Sequence, residues 1–146
     1  MSHTRSIPQA VLCGLLTCVL VSVTPATARS ADKPWTPDPA WIDRVPAKER
    51  PRARAATCAE VKEMVAVFAM TDPTSWHPGI DRDIVRLWMQ VDTAESYRGV
   101  AIQLTQEMAL QHSRTPLDER TAGKQAEAEC LRRLALLPSA PDQGRR

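Results

Sequence analysis

The chain has 146 residues, one domain's worth of material, of which 43% are hydrophobic, with a formal net charge of +2. That charge falls to +1 without the first 28 residues, whose one charged side chain is Arg5, so there is no general electrostatic case for nucleic acid or membrane binding. Phe68, Tyr97 and four Trp supply the aromatic bulk, while Ala, Leu, Glu, Gln and Arg outweigh alternating β-branched runs, which predicts an all-α fold.

The N-terminus has the layout of a secretory signal. Arg5 precedes an apolar run from Val11 to Val23, and Ala26-Thr27-Ala28 places small residues before a cleavage point after Ala28. The run is shorter than the ~20 apolar residues a spanning helix wants, so removal of residues 1–28 is expected, Cys13 and Cys18 leaving with them. The mature chain then belongs in the periplasm or outside the cell.

Residues 29–56 carry Pro34, Pro37, Pro39, Pro46 and Pro51, each removing a backbone donor and holding its predecessor extended. They predict an extended arm. Its large apolar groups are Trp35, Trp41 and Ile42, which either lie on a helical body or tether a partner. Arg44, Lys48, Arg50, Arg52 and Arg54 enclose Glu49 as their one acid and read as a solvated linker.

Three helices follow over residues 57–138. Thr57 and Glu60 have the spacing of a capping box, so the first helix is expected to begin at Thr57. Cys58, Val61, Val65 and Phe68 share its inner face with Met64 beside them, and Thr71-Asp72-Pro73 ends it. From Ile80 to Gln111 the apolar residues Ile84, Leu87, Val91, Ala94, Tyr97, Ala101, Leu104 and Met108 step by three or four with no Pro, which predicts one long helix. Thirty-two residues make about 48 Å, longer than the ~27 Å diameter of a chain this size, so a bend is expected, at Gly99. Asp81 and Asp83 suit the positive end of its dipole. Thr115, Pro116 and Asp118 mark the start of the last helix, Ala126, Cys130, Leu134 and Leu137 its apolar edge, and Pro138 its end. Residues 139–146 lack an apolar pattern and are expected to be a flexible tail.

Two cysteines on core faces of an exported chain are expected to pair, Cys58 with Cys130. In an up-down-up three-helix bundle their heights agree to about 7 Å. Closing that loop stabilises by roughly 4 kcal/mol in the chain-entropy model.

Chemistry is hard to find. No G-x-S-x-G, H-E-x-x-H, G-x-x-x-x-G-K or C-x-x-C pattern occurs, and a disulfide leaves no thiolate for nucleophilic work. His112 with Met64, Met70 or Met89 would suit copper, but Met at helical spacing is ordinary core filler. Glu95 and Glu107 stand too far apart for an acid and base pair. No catalytic residue, metal or cofactor is therefore expected. The expected function is non-catalytic binding of another protein, as a chaperone-like or adaptor protein. The alternatives are an immunity or inhibitor protein and a small metal-binding protein. Trp35 and Trp41 on the arm, Trp76 in the loop and Trp88 on the long helix are the candidate partner-binding residues. A homodimer stays open as an arrangement.

Overall fold

The computed structural model describes residues 34–72 and 79–141. The signal-like segment 1–28, the Trp76-His77-Pro78 loop and the end of the tail lie outside the described residues. Four α-helices follow a single 3₁₀ turn at Pro39–Trp41: α1 Arg50–Met70, α2 Ile80–Trp88, α3 Glu95–Arg114 and α4 Glu119–Leu136. No strand occurs among the described residues. The helical class expected from composition is what forms, but the three-helix, up-down-up plan is not.

The first correction concerns where α1 begins. Seven residues assigned to the arm are already helical, because Pro51 sits in the first turn, where its missing N–H is not needed, and Arg52 to Ala56 are good helix formers. Thr57 is consequently not a cap. It is buried mid-helix, donating its hydroxyl back to the Ala53 carbonyl at 2.9 Å and sharing a 2.7 Å hydrogen bond with the Thr93 hydroxyl.

The second correction breaks the long helix in two. Its periodicity is real, yet Met89 to Ala94 leave helical geometry, and the chain turns back so that α2 packs on α3. The indole N–H of Trp88 donates to the Thr105 hydroxyl at 3.0 Å. In an unbroken helix those residues, seventeen apart, would be separated by about 26 Å. Asp92 and Thr93 are poor helix formers whose side chains compete for backbone groups, and Thr93 gains its partner on α1 only if the helix opens there. A three-four repeat cannot separate one long helix from two helices that both face inward. Gly99 is therefore not a bend. It is a seat, since a Cβ there would stand 2.5 Å from Nε1 of the Trp41 indole.

The turn also rotates α2 about its axis relative to the expected face. Ile84 and Trp88 are fully buried, whereas Leu87 is 43% exposed. Trp88 is thus a core residue with no exposed surface.

The extra turn changes how the first and last helices meet. Cys58 joins Cys130, Lys62 reaches Glu127 at 3.4 Å, and a Cβ on Gly123 would lie 3.2 Å from the Lys62 carbonyl oxygen. Rising numbers on α1 meet falling numbers on α4, so the two run antiparallel, where an up-down-up bundle would make them parallel. The disulfide pairing expected from the sequence forms all the same, with the Cα atoms 5.5 Å apart. Around it the core gathers Val61 and Val65 of α1, Tyr97, Val100 and Leu104 of α3, and Ala126 and Leu134 of α4, all but fully buried. Burial of this kind, at about 25 cal/mol per Å² of apolar surface, drives the helices together.

At the start of α4 the cap is Asp118, which accepts from the Thr121 N–H at 3.0 Å, while Pro116 stays in the connection. Hydrogen bonds from the Thr121 side chain first, and then from its N–H, hold the Asp118 carboxyl below its usual value. Beyond Leu137 the tail does not detach at once. Asp43 N–H donates to the Pro138 carbonyl at 2.8 Å and Ala140 N–H to the Asp43 carbonyl at 3.0 Å, a parallel bridge between Asp43 and Ser139.

Candidate functional site

Two ionic clusters meet the arm, one built on its own Asp43 and the other, between α3 and α4, lying under Trp35. Asp43 is fully buried, and its carboxylate accepts from Arg54 Nη2 at 2.8 Å, the Tyr97 hydroxyl at 3.0 Å and the Val45 N–H at 3.0 Å, with Arg50 Nε at 3.3 Å. Arg50 also donates to the Val45 carbonyl at 2.8 Å. Part of the basic cluster is therefore a counterion set and not a solvated linker. Burial, with Asp43 adding to it against Arg54, raises the Tyr97 hydroxyl pKa, so the phenol is a donor at neutral pH.

The second cluster is built on Arg133, which donates to Glu107 at 2.5 Å and to Glu129 at 2.8 Å. Its guanidinium carbon lies 5.4 Å from the centre of the Trp35 ring, a cation–π distance. The Glu129 carboxyl is lowered to about 2, first by Arg132 and then by Arg133, against the opposing effect of burial.

These clusters decide what the sequence-predicted site residues do. Trp35 covers Arg133 and Trp41 fills the seat at Gly99, both half-buried against the core. Trp88 is interior, so the three described tryptophans do not form one exposed aromatic surface, and Trp76 lies outside the described residues. Cys58 and Cys130 are both fully buried and joined.

His112 is also buried, and its Nδ1 accepts from the Leu117 N–H at 3.3 Å, which fits a residue fastening the α3–α4 connection. Among the described residues no group of three His, Cys, Asp or Glu is placed to hold a metal ion. A cleft of about 630 Å³ lies between the arm and the start of α3. Its charged residues, Arg44, Glu49 and Glu95, carry both signs, and Ser96, its one hydroxyl, has no histidine among the lining residues to activate it.

The surface with a different character lies at the other end of α1. Met64, Val67, Phe68 and Thr71 of α1 and Leu87, Gln90 and Val91 from α2 and the turn after it line a groove of about 390 Å³. Val67 is 56% exposed and Leu87 43%, and Met70 beyond them 64%. Val67 also forms the wall of a second cleft of about 460 Å³ between α1 and α4, whose charged lining, Lys62, Glu63, Glu119, Arg120 and Lys124, carries both signs. Sequence reading missed this groove because it placed Leu87 inside and counted only the Cys58, Val61, Val65 and Phe68 face. The available signal was Val67 and Met70, apolar residues off that face.

The chain matches no family model, no curated protein and no solved structure.

Proposed function

We propose that this is an exported, non-catalytic protein that binds another protein, chaperone-like or as an adaptor, through the groove between α1 and α2. The observation that carries the reading is the pair of exposed aliphatic residues Val67 and Leu87 facing one cleft in a framework fixed elsewhere by a disulfide. Exposed apolar residues that share a concave surface, and are not scattered singly, mark interaction sites. Export is supported by the Cys58–Cys130 bridge, since such bonds persist in oxidising compartments. No helix among the described residues is long and apolar enough to cross a membrane.

An inhibitor or immunity protein is the second reading, and the Asp43 cluster that ties the arm to α1 and α3 favours it, because a rigid face suits a single target. A photo-crosslinking residue at Val67, with Ala128 on the exposed side of α4 as control, tests both in the native host. Crosslinks to several client proteins at Val67 support the chaperone-like reading, and one stoichiometric product supports the inhibitor. Equal labelling from both positions, or none from Val67, rejects the groove.

A further inference from the structure

The groove has an edge of one charge. Glu63 lines it, Glu60 stands one turn earlier on the same exposed strip of α1, and Asp92 follows Val91. All three are exposed, and none has an ion-pair or hydrogen-bond partner among the described residues. Of the nearby cations, Arg120 and Lys124 lie on the α4 side of Glu63 and Val67, in the neighbouring cleft, and others are engaged. Arg86 is hydrogen-bonded to Asp83, Arg98 donates to the Thr93 carbonyl at 3.3 Å, and Lys62 reaches across the neighbouring cleft to Glu127. Arg82 lies a full turn farther back along α2. Glu63 therefore edges the apolar floor itself, with the unpaired Glu60 one turn before it and the unpaired Asp92 next to Val91 in the chain.

Resting on the reading of this groove as the partner surface, we propose that its occupant is a cationic amphipathic helix of another protein. Apolar side chains at i and i+3 or i+4 lie on the floor, and Lys or Arg on the flanks meet Glu60, Glu63 and Asp92. From Met64 to Thr71 the α1 wall runs about 10 Å, which suits two turns of helix laid in a groove. The same charges disfavour an anionic lipid surface, since like charges across an interface repel. A second copy of this chain fits less well. Where its exposed cations stand beside exposed apolar residues, as Arg82 and Arg86 do with Val85 and Met89, Asp81 and Asp83 share the same helix and oppose the carboxylates of the groove.

The test uses the disulfide-bonded protein and two 18-residue helical peptides with the same Leu spacing, one flanked by Lys and the other by Glu. Fluorescence anisotropy is expected to give at least about tenfold tighter binding of the Lys peptide, weakening about fivefold between roughly 50 and 300 mM salt. The triple variant Glu60→Lys, Glu63→Lys, Asp92→Lys is expected to invert the preference at an unchanged urea midpoint. Equal binding of both peptides that is lost in Val67→Asp overturns the charge proposal and leaves the groove standing. A concentration-dependent dimer abolished by Val67→Asp overturns it in favour of self-association. Binding of neither peptide, together with no crosslink at Val67, removes the proposal and the function reading together.

Discussion

The arm, Pro34 to Glu49, and the groove between α1 and α2 are both rich in large apolar groups, yet they end in opposite situations. The arm's tryptophans are turned inward, one seated on a glycine and the other laid over a buried arginine, and Asp43 ties the segment to α1, α3 and the residues after α4. The groove carries smaller aliphatic residues, and there Val67 and Leu87 stay open to solvent. Aromatic size is therefore a poor guide to a binding face. A Trp is costly to leave in water, so wherever the chain offers it a seat it becomes part of the fold, and exposure falls to residues off the core stripe.

That comparison can be broken in several ways. Reducing the Cys58–Cys130 bridge, or replacing both cysteines by Ala, is expected to have the largest effect, about 4 kcal/mol for a sequence separation of 72. Urea unfolding with and without reductant measures it. Asp43→Ala is expected to cost about 3 kcal/mol and to free the arm, because it strands Arg54 and the Tyr97 hydroxyl. Arg50 and Arg54 keep some contact with water, which holds the cost at the lower end of the range for a buried pair. A rise in limited proteolysis between Trp41 and Arg50 reports the release. Gly99→Ala is expected to cost about 2 kcal/mol, since the indole of Trp41 must leave its seat, and red-shifted tryptophan emission accompanies that loss.

A smaller effect is expected from acid. Arg132 and Arg133 hold the Glu129 carboxyl down at about 2 in the folded chain, below its ordinary 4.5, so its stabilising contribution is complete above pH 4.5 and is lost as the pH falls towards 2. Urea midpoints from pH 5 to pH 2 are expected to fall less steeply in Glu129→Gln than in the parent chain. Smallest of all is Val67→Asp, expected to shift stability by no more than about 0.5 kcal/mol because the side chain is already in water. Its consequence is for binding.

What was legible in the sequence follows from how local each signal is. The helical class, the end of α1 at Thr71, the end of α4 before Pro138 and the Cys58–Cys130 pair were readable from periodicity, breakers and cysteine context. Cysteine context carries the pair whatever the helix direction: an up-down-up plan makes the first and last helices parallel, and the bridge joins antiparallel ones. The break at Met89 to Ala94 was hidden because Ile84, Trp88, Tyr97 and Leu104 keep helical spacing on each side of it, and the hydrogen bond that rewards it joins residues seventeen apart. Thr57 imitates a cap because capping and buried back-bonding use the same hydroxyl, and only Thr93 from a distant stretch distinguishes them. Asp43 had no local mark at all. A lone acid beside Arg44 reads as solvated until α1, α3 and the end of α4 close over it.

The contrast between a buried aromatic arm and an open aliphatic groove is tested most directly by crosslinking yield from a photoreactive residue at Leu87 in two backgrounds. The structure predicts that the yield survives Trp35→Ala with Trp41→Ala, once folding is verified by circular dichroism, and is lost in Val67→Asp. Loss in the arm variant with retention in Val67→Asp would place the partner on the tryptophans and contradict the account.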